Sequence, residues 1–378
     1  MKFTVHSNEM KAAMSLVTKA IASKNSLPIL GCVKLTQNKQ GNLEITGGDE
    51  ETMMTITIPM METQEFQPIC IEATILSEML GSIGKQPVTF EVKDKSVTLI
   101  YATGHFNVAV MSADEFPVVD DNIEAVDCVT MQADELSKGI AMCRVFSGND
   151  VLRPIMSSVY LDMTGDHLVM AATDSCRLIR KGFPEVKTGG KTGSIITTKT
   201  ASLLSAYQRP VEIAIRVNER QTAFIADGFR LIAKNLEGRY PNYNAVIPQT
   251  NPTKVEVGRN ELSTSLKRAM ITGNKGTSLV KIELSTLMGA EGQMAIEGRD
   301  IDFARSGQDV ISCTHNYKSG TFSIGFKGTL LQEILATHTT SKVAIELADP
   351  SRAAVIRDID GDPNLLTLIM PMQLIDEI

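Results

Sequence analysis

The chain has 378 residues, 43% of them hydrophobic and 21% charged, with a formal net charge of −7 at pH 7. That length is too great for one ordinary core, and the mild acidity excludes a wholly basic nucleic-acid-binding domain while leaving room for one basic face. The N-terminus lacks the apolar core of a signal peptide and no apolar run reaches membrane-spanning length, so the chain is expected to be cytoplasmic.

The first predicted helix opens at Asn8-Glu9-Met10, an N-cap residue followed by an acid in the first turn, and Met14 and Val17 continue its apolar stripe. A strand closing at Ile71-Glu72-Ala73 leads into a second helix carrying Met79, Leu80 and Ile83. Alternating strands follow from Val88, Ser96 and His105. The same order then returns. Asp134-Glu135-Leu136 opens a helix continued by Ile140 and Cys143, and Ile196-Thr197-Thr198 leads into Leu203, Leu204 and Tyr207. Strands are read from Val211, Gln221 and Phe229. A third round begins at Asn260-Glu261-Leu262, with Leu266 and Ala269. It passes Ile324-Gly325-Phe326 to Leu330, Leu331, Ile334 and Leu335, and ends in strands from Val343, Ala353 and Leu365.

The three helix openings stand at one constant spacing, so cap and apolar phase repeat together. Polar stretches near Asp120–Asp127 and Pro248–Lys254 separate the copies, giving expected modules at 1–124, 125–249 and 250–378. Each reads as β-α-β-β-β-α-β-β-β, an α+β arrangement with antiparallel sheets on one side and two helices on the other.

Residues that look catalytic fail on spacing. Gly189-Gly190-Lys191-Thr192 has the end of a phosphate loop, but its required first glycine would fall at Glu185, so a flexible turn is the better reading. Asp49-Glu50-Glu51 and Asp300/Asp302 read as solvated acids or charge-pair partners before they read as metal ligands. His6 and Glu9 have no useful spacing, and no GxSxG elbow occurs. Cys32, Cys70, Cys128, Cys143, Cys176 and Cys313 are scattered singly, as are five histidines, which argues for reduced thiols and against zinc. No enzyme, metal or cofactor is expected.

The chain resembles the bacterial DNA polymerase III β subunit, or sliding clamp, family over nearly its whole length. The likeness rests on Met1-Lys2-Phe3-Thr4-Val5, Leu27-Pro28-Ile29-Leu30, Asp114-Glu115-Phe116-Pro117 and Ala172-Thr173-Asp174 with Arg177-Leu178. It continues through Gly238-Arg239-Tyr240-Pro241-Asn242-Tyr243 and Met370-Pro371-Met372. The resemblance implies a DNA-clamp module whose two helices face a central hole, with sheets outside. It also implies a head-to-tail homodimer that encircles double-stranded DNA without reading its sequence. Lys11, Lys19, Lys138 and Lys267 lie off the apolar stripes and are expected to face DNA. Lys24, Asn149 and Lys199 are placed near DNA by the resemblance.

The family also implies partners: a DNA polymerase catalytic subunit, a clamp loader, and repair proteins docking by short peptides. The docking groove would be lined by Arg153, Met156, Thr173, Ser175, Cys176, Arg177, Leu178, Pro241, Val246, Leu368, Met370, Pro371 and Met372. Methionines suit such a groove because they adapt to varied apolar residues. Ser175-Cys176 stands where the family commonly has Gly-His, and Gln373-Leu374-Ile375-Asp376-Glu377-Ile378 extends past the usual end, as a tail across the groove or a disordered one. Phe106, Val108 and Ile271 match the dimer seam, with acids around Glu297–Asp302 meeting basic residues opposite. An α/β enzyme with a site between modules and a protein–protein adaptor that never encircles DNA are the competing readings.

Overall fold

A strand that runs straight into a helix begins every copy of the repeat. The computed structural model describes residues 1–117, 123–285, 292–318 and 320–374, so part of the first polar separator and the last four residues of the expected tail lie outside the described residues. The described helices longer than one turn are α1 (Ser7–Val17), α2 (Ala73–Ser82), α3 (Ala133–Phe146), α4 (Thr198–Ser205), α5 (Arg259–Thr272) and α6 (Gly328–Thr337).

The expected N-caps Asn8, Asp134 and Asn260 are each the second residue of their helix, because every helix starts one residue earlier. The preceding strand keeps its register to its last residue, with His6 opposite Pro87, Gln132 opposite Glu212 and Gly258 opposite Lys342. The first helical amide then donates to the chain just before that neighbouring strand. Ser7 N–H meets Gln86 O at 2.9 Å, Ala133 N–H meets Val211 O at 2.8 Å, and Arg259 N–H meets Ser341 O at 2.8 Å. A sheet-side carbonyl thus satisfies a donor that a cap side chain would otherwise take.

The apolar stripes are where the periodicity put them. Met10, Met14 and Val17 in α1, Leu136, Ile140 and Cys143 in α3, and Leu262, Leu266 and Ala269 in α5 are all buried. In the second helices Leu80, Ile83, Leu203, Leu204, Tyr207, Leu331, Ile334 and Leu335 are buried, Met79 and Leu330 are half-buried, and Leu76 joins the core. The α+β class holds, with more strands per copy than the sequence suggested: among the described residues the two helices are separated by five strands in the first copy, counting the two-residue Glu62–Thr63, and by four in the second and third, not three. Tight hairpins such as Asp49–Thr52 leave no long polar break to mark the extra strand.

The chain forms two compact units. One comprises residues 1–141, 162–167 and 185–237; the other comprises 142–161, 168–184 and 238–378. In the first, one antiparallel sheet is ordered Glu62–Thr63, Lys2–His6, Pro87–Lys93, Ser96–Tyr101, Gly104–Ala109. A second runs from Met111–Ser112 through Ile69–Glu72, Cys32–Gln37, Leu43–Gly48 and Thr52–Ile58 to Phe229–Lys234, Gln221–Ala226, Glu212–Val217 and Asp127–Gln132. Its key junction sets Phe229 opposite Ile56 and Ala233 opposite Thr52.

The second unit repeats that device. Arg177–Lys187 pairs with Leu365–Ile369, placing Arg177 opposite Ile369 and Lys181 opposite Leu365. From there the sheet passes through Ala354–Asp358, Lys342–Leu347, Thr253–Gly258, Arg305–His315, Gly292–Asp300 and Leu279–Ser285 to Thr321–Lys327. Each junction therefore adds the last strand of one copy to the hairpin strand of the copy before it.

Candidate partner groove, polar faces and free edges

The residues expected to line the groove gather around one hairpin turn. Asp174 Oδ1 accepts the amides of Cys176 and Arg177 at 2.9 Å each, while Thr173 Oγ1 donates to Arg177 O at 2.7 Å and accepts from Ser175 N–H at 3.2 Å. The turn holds Ser175 at φ 77°, left-handed backbone that glycine enters at less cost than serine, and lifts Ser175 and Cys176 into solvent. Met370 N–H donates to Cys176 O at 2.7 Å, which fixes the end of the last strand beside the turn. Arg153, held by Asp150 at 2.7 Å, reaches Ser175 Oγ at 3.3 Å.

Tyr160 stacks on Tyr240 at 4.7 Å and meets Tyr243 edge-on at 6.4 Å, anchoring the segment that carries Pro241 and Val246. Met370 and Val246 are exposed, and Met156, Pro241, Pro371 and Met372 are half-buried. Leu178 and Leu368 face each other in register and are buried, so they lie in the core beneath this surface. Val151 and Leu152, each 91% exposed beside Arg153, are apolar groups that the sequence reading missed; two bare aliphatics after a polar Ser-Gly-Asn-Asp run were the available signal. Met372 N–H donates to Gly325 O at 2.8 Å, and Leu374 packs close to Gly325, so the described start of the tail continues along Thr321–Lys327.

Arg177 is 6% exposed and acts as a clasp. Its guanidinium bonds Asp174, Glu333 of α6 and the carbonyl of Val145 in α3, and lies 5.2 Å from the Phe146 ring. The first unit has a counterpart. Lys199, in the first turn of α4, bonds Asp49 and the carbonyl of Ala20. Burial pushes the Asp49 carboxyl up, but the bonds from Lys199 and from the amides of Glu51 and Thr52 outweigh it and hold the group below its ordinary value. Lys199 is therefore half-buried and paired, and Asp49 is a charge-pair partner.

Lys11, Lys19, Lys24, Lys138, Asn149 and Lys267 are exposed. Lys138 pairs with Asp134 at 2.9 Å, a bond that keeps the Asp134 carboxyl below its ordinary value. Asp127 Oδ1 and Oδ2 accept the Gly189 amide at 3.0 and 3.1 Å, and Gly190 takes φ 69°, so the Gly-Gly segment is an anchored turn. Among the described residues no three His, Cys, Asp or Glu come together as metal ligands, and no helix is long and apolar enough to cross a membrane.

Two sheet edges are open among the described residues. Gly104–Ala109 ends its sheet, with Phe106 and Val108 half-buried on one face. Arg305–Ser312 has a strand partner on one side only among the described residues. Beside it Ile271, Ile301, Phe303 and Val310 are 68%, 63%, 67% and 51% exposed. Gly298 and Gly307 face each other beneath the last turn of α5: a Cβ on Gly298 would stand 1.9 Å from Ala269 O, and one on Gly307 would stand 2.7 Å from Thr272 Oγ1. Ile271 is carried on that turn.

These features define a class: tandem α+β modules joined edge to edge by strand addition. Sequence models of the DNA polymerase III beta subunit match in order, its N-terminal domain at residues 1–120, its central domain at 130–242 and its C-terminal domain at 244–373. The chain belongs to the DNA polymerase III beta subunit family. It is 24% identical to the beta sliding clamp of Synechocystis sp., covering 100% of both chains, and 24% identical to that of Bacillus subtilis, covering 99% of this chain and 100% of the relative. Its fold matches a Pseudomonas aeruginosa sliding clamp bound to griselimycin with TM-score 0.92 at 20% identity, over 99% of this chain and 100% of that one. A Thermotoga maritima DNA polymerase III beta subunit matches with TM-score 0.88 at 21% identity, with the same coverage.

Proposed function

We propose that this chain is a non-catalytic sliding clamp: a head-to-tail homodimer that closes a ring around duplex DNA and tethers a DNA polymerase. The observation that carries this reading is a pair of edges left without a strand partner among the described residues. Two internal junctions each add a module's last strand to the hairpin strand of the module before it. Applying that rule once more, Gly104–Ala109 of one copy would pair with Arg305–Ser312 of another. Unpaired edges that complement each other in a second copy are the usual basis of closed symmetric assembly.

The internal registers also suggest the one expected between copies. Hairpin counting makes Val108 equivalent to Ala233 and Ile369, and makes Arg305 equivalent to Thr52 and Arg177. Val108 would therefore fall opposite the partner's Arg305 and Phe106 opposite the partner's Gly307, near exposed Ile271.

Modules 1–124, 125–249 and 250–378, doubled, supply twelve helices. At about 9–10 Å between axes these lie on a circle roughly 36 Å across, and removing about 10 Å of helix thickness leaves roughly 26 Å for B-form DNA and water. Exposed Lys11, Lys19, Lys24, Lys138, Asn149 and Lys267 suit weak phosphate contacts that are blind to sequence and permit sliding. Lys199, already paired, would serve mainly to join modules. The surface around Met370, Val246, Met156 and the Ser175-Cys176 turn suits short apolar peptides of the polymerase, a clamp loader or repair proteins.

The test is retention on DNA. The protein, loaded onto nicked circular duplex, should remain through gel filtration at high salt and leave when the circle is cut once. Equal loss from circular and linear DNA would overturn encirclement and favour an adaptor, and a strictly monomeric protein would favour the enzyme reading.

A further inference from the structure

The repeat leaves one of its clasps half-built. At the junction in the second unit, Arg177 bridges Asp174 of its own hairpin and Glu333 of the following module's second helix. The third copy carries the same hairpin acid and base. Asp300 pairs in register with Arg305, and the equivalent glycines Gly47 and Gly298 both lie against the first helix of their copy, near Val17 and Ala269 respectively. Asp300 is thus the equivalent of Asp174, and Arg305 of Arg177.

Their surroundings differ in one respect. Asp300 is 5% exposed and, among the described residues, forms no ion pair, its Oδ1 accepting the Phe303 amide at 3.4 Å. Arg305 is exposed and lies 5.1 Å from the Phe303 ring, much as Arg177 lies 5.2 Å from Phe146, yet it also forms no ion pair among the described residues. A buried carboxylate without a cation beside a cation without a carboxylate is a costly arrangement unless assembly completes it.

The counterpart of the missing acid lies in α2. The position of Glu333 in α6 corresponds to Glu78 in α2, because Glu72 and Lys327 both end the strand that leads into these helices, and Leu76 and Leu80 match Leu331 and Leu335 in burial. Glu78 is exposed, with no partner among the described residues.

We propose that Arg305 of one copy forms an ion pair with Glu78 of a second copy while turning onto its own Asp300, and that this three-group clasp orients and locks the seam. The proposal rests on the head-to-tail reading above and names the charges that make it specific. Closing the clasp takes Arg305 off the Phe303 face and buries both charges together, so each group alone disfavours the wrong partner.

A charge swap tests it. R305E and E78R, made singly, should each weaken self-association about tenfold or more in sedimentation at low salt, and the R305E/E78R double variant should recover most of that loss. Both side chains are exposed, so thermal unfolding of all three variants should match the parent. A double variant no better than the product of the singles, in a protein that still dimerises, would overturn the clasp and leave the seam standing. A parent chain that does not self-associate would remove both. Singles that dimerise as the parent does would also overturn the clasp.

Discussion

Arg177 is the residue on which two roles converge. It closes the junction beneath the candidate groove, and its backbone ends the turn that presents Ser175 and Cys176. Removing a buried charge from a bonded network strands its carboxylate partner, at a cost of about 3–5 kcal/mol, whereas an exposed pair contributes about 1 kcal/mol or less. Arg177→Met is therefore expected to lower the denaturant midpoint markedly and Arg153→Ala to leave it nearly unchanged; equal effects would contradict the clasp. Neither role was legible in the sequence. The resemblance put Arg177 in the lining of the docking groove, and nothing local in Thr-Asp-Ser-Cys-Arg-Leu points to Glu333, 156 positions away. Lys199 was similarly opaque: its acid is 150 positions distant, so a paired cation passed for a free one.

At the scale of elements, local period was a sound guide and helix ends were not. Met10, Met14 and Val17 and their counterparts announced three helices because burial on one face enforces a 3.6-residue period. The caps were misplaced because the acceptors of the first amides are remote carbonyls at Gln86, Val211 and Ser341, which no local motif encodes. The seating of α5 is equally non-local. Gly298 permits the close approach of Ala269, so Gly298→Ala must push the last turn away and carry Ile271 with it. We expect that variant to lose about 1–3 kcal/mol in thermal unfolding and to self-associate less well. An unchanged melting temperature would mean the contact is slack.

For the whole molecule, the constant spacing of the three helix openings made the tandem architecture readable, and resemblance supplied the groove. What the sequence could not convey is why the copies differ. At the first junction the positions equivalent to Ser175, Cys176 and Met370 are Glu50, Glu51 and Lys234, and Lys234 N–H donates to Glu51 O at 2.8 Å just as Met370 donates to Cys176. One frame thus carries a polar surface in the first unit and an apolar one in the second. The third instance of the frame ends at an edge that is free among the described residues and that a second copy is expected to fill. Asn107→Cys combined with Ser306→Cys tests this most directly, since these exposed positions fall opposite each other between the Val108–Arg305 and Phe106–Gly307 pairs, and directly opposed residues bring their Cβ atoms within about 5.5 Å. Mild oxidation should yield an interchain-linked, covalently closed dimer that survives denaturant on circular DNA, with neither single variant doing so despite exposed Cys128 and Cys176. A folded double variant that forms no interchain link would contradict the head-to-tail seam.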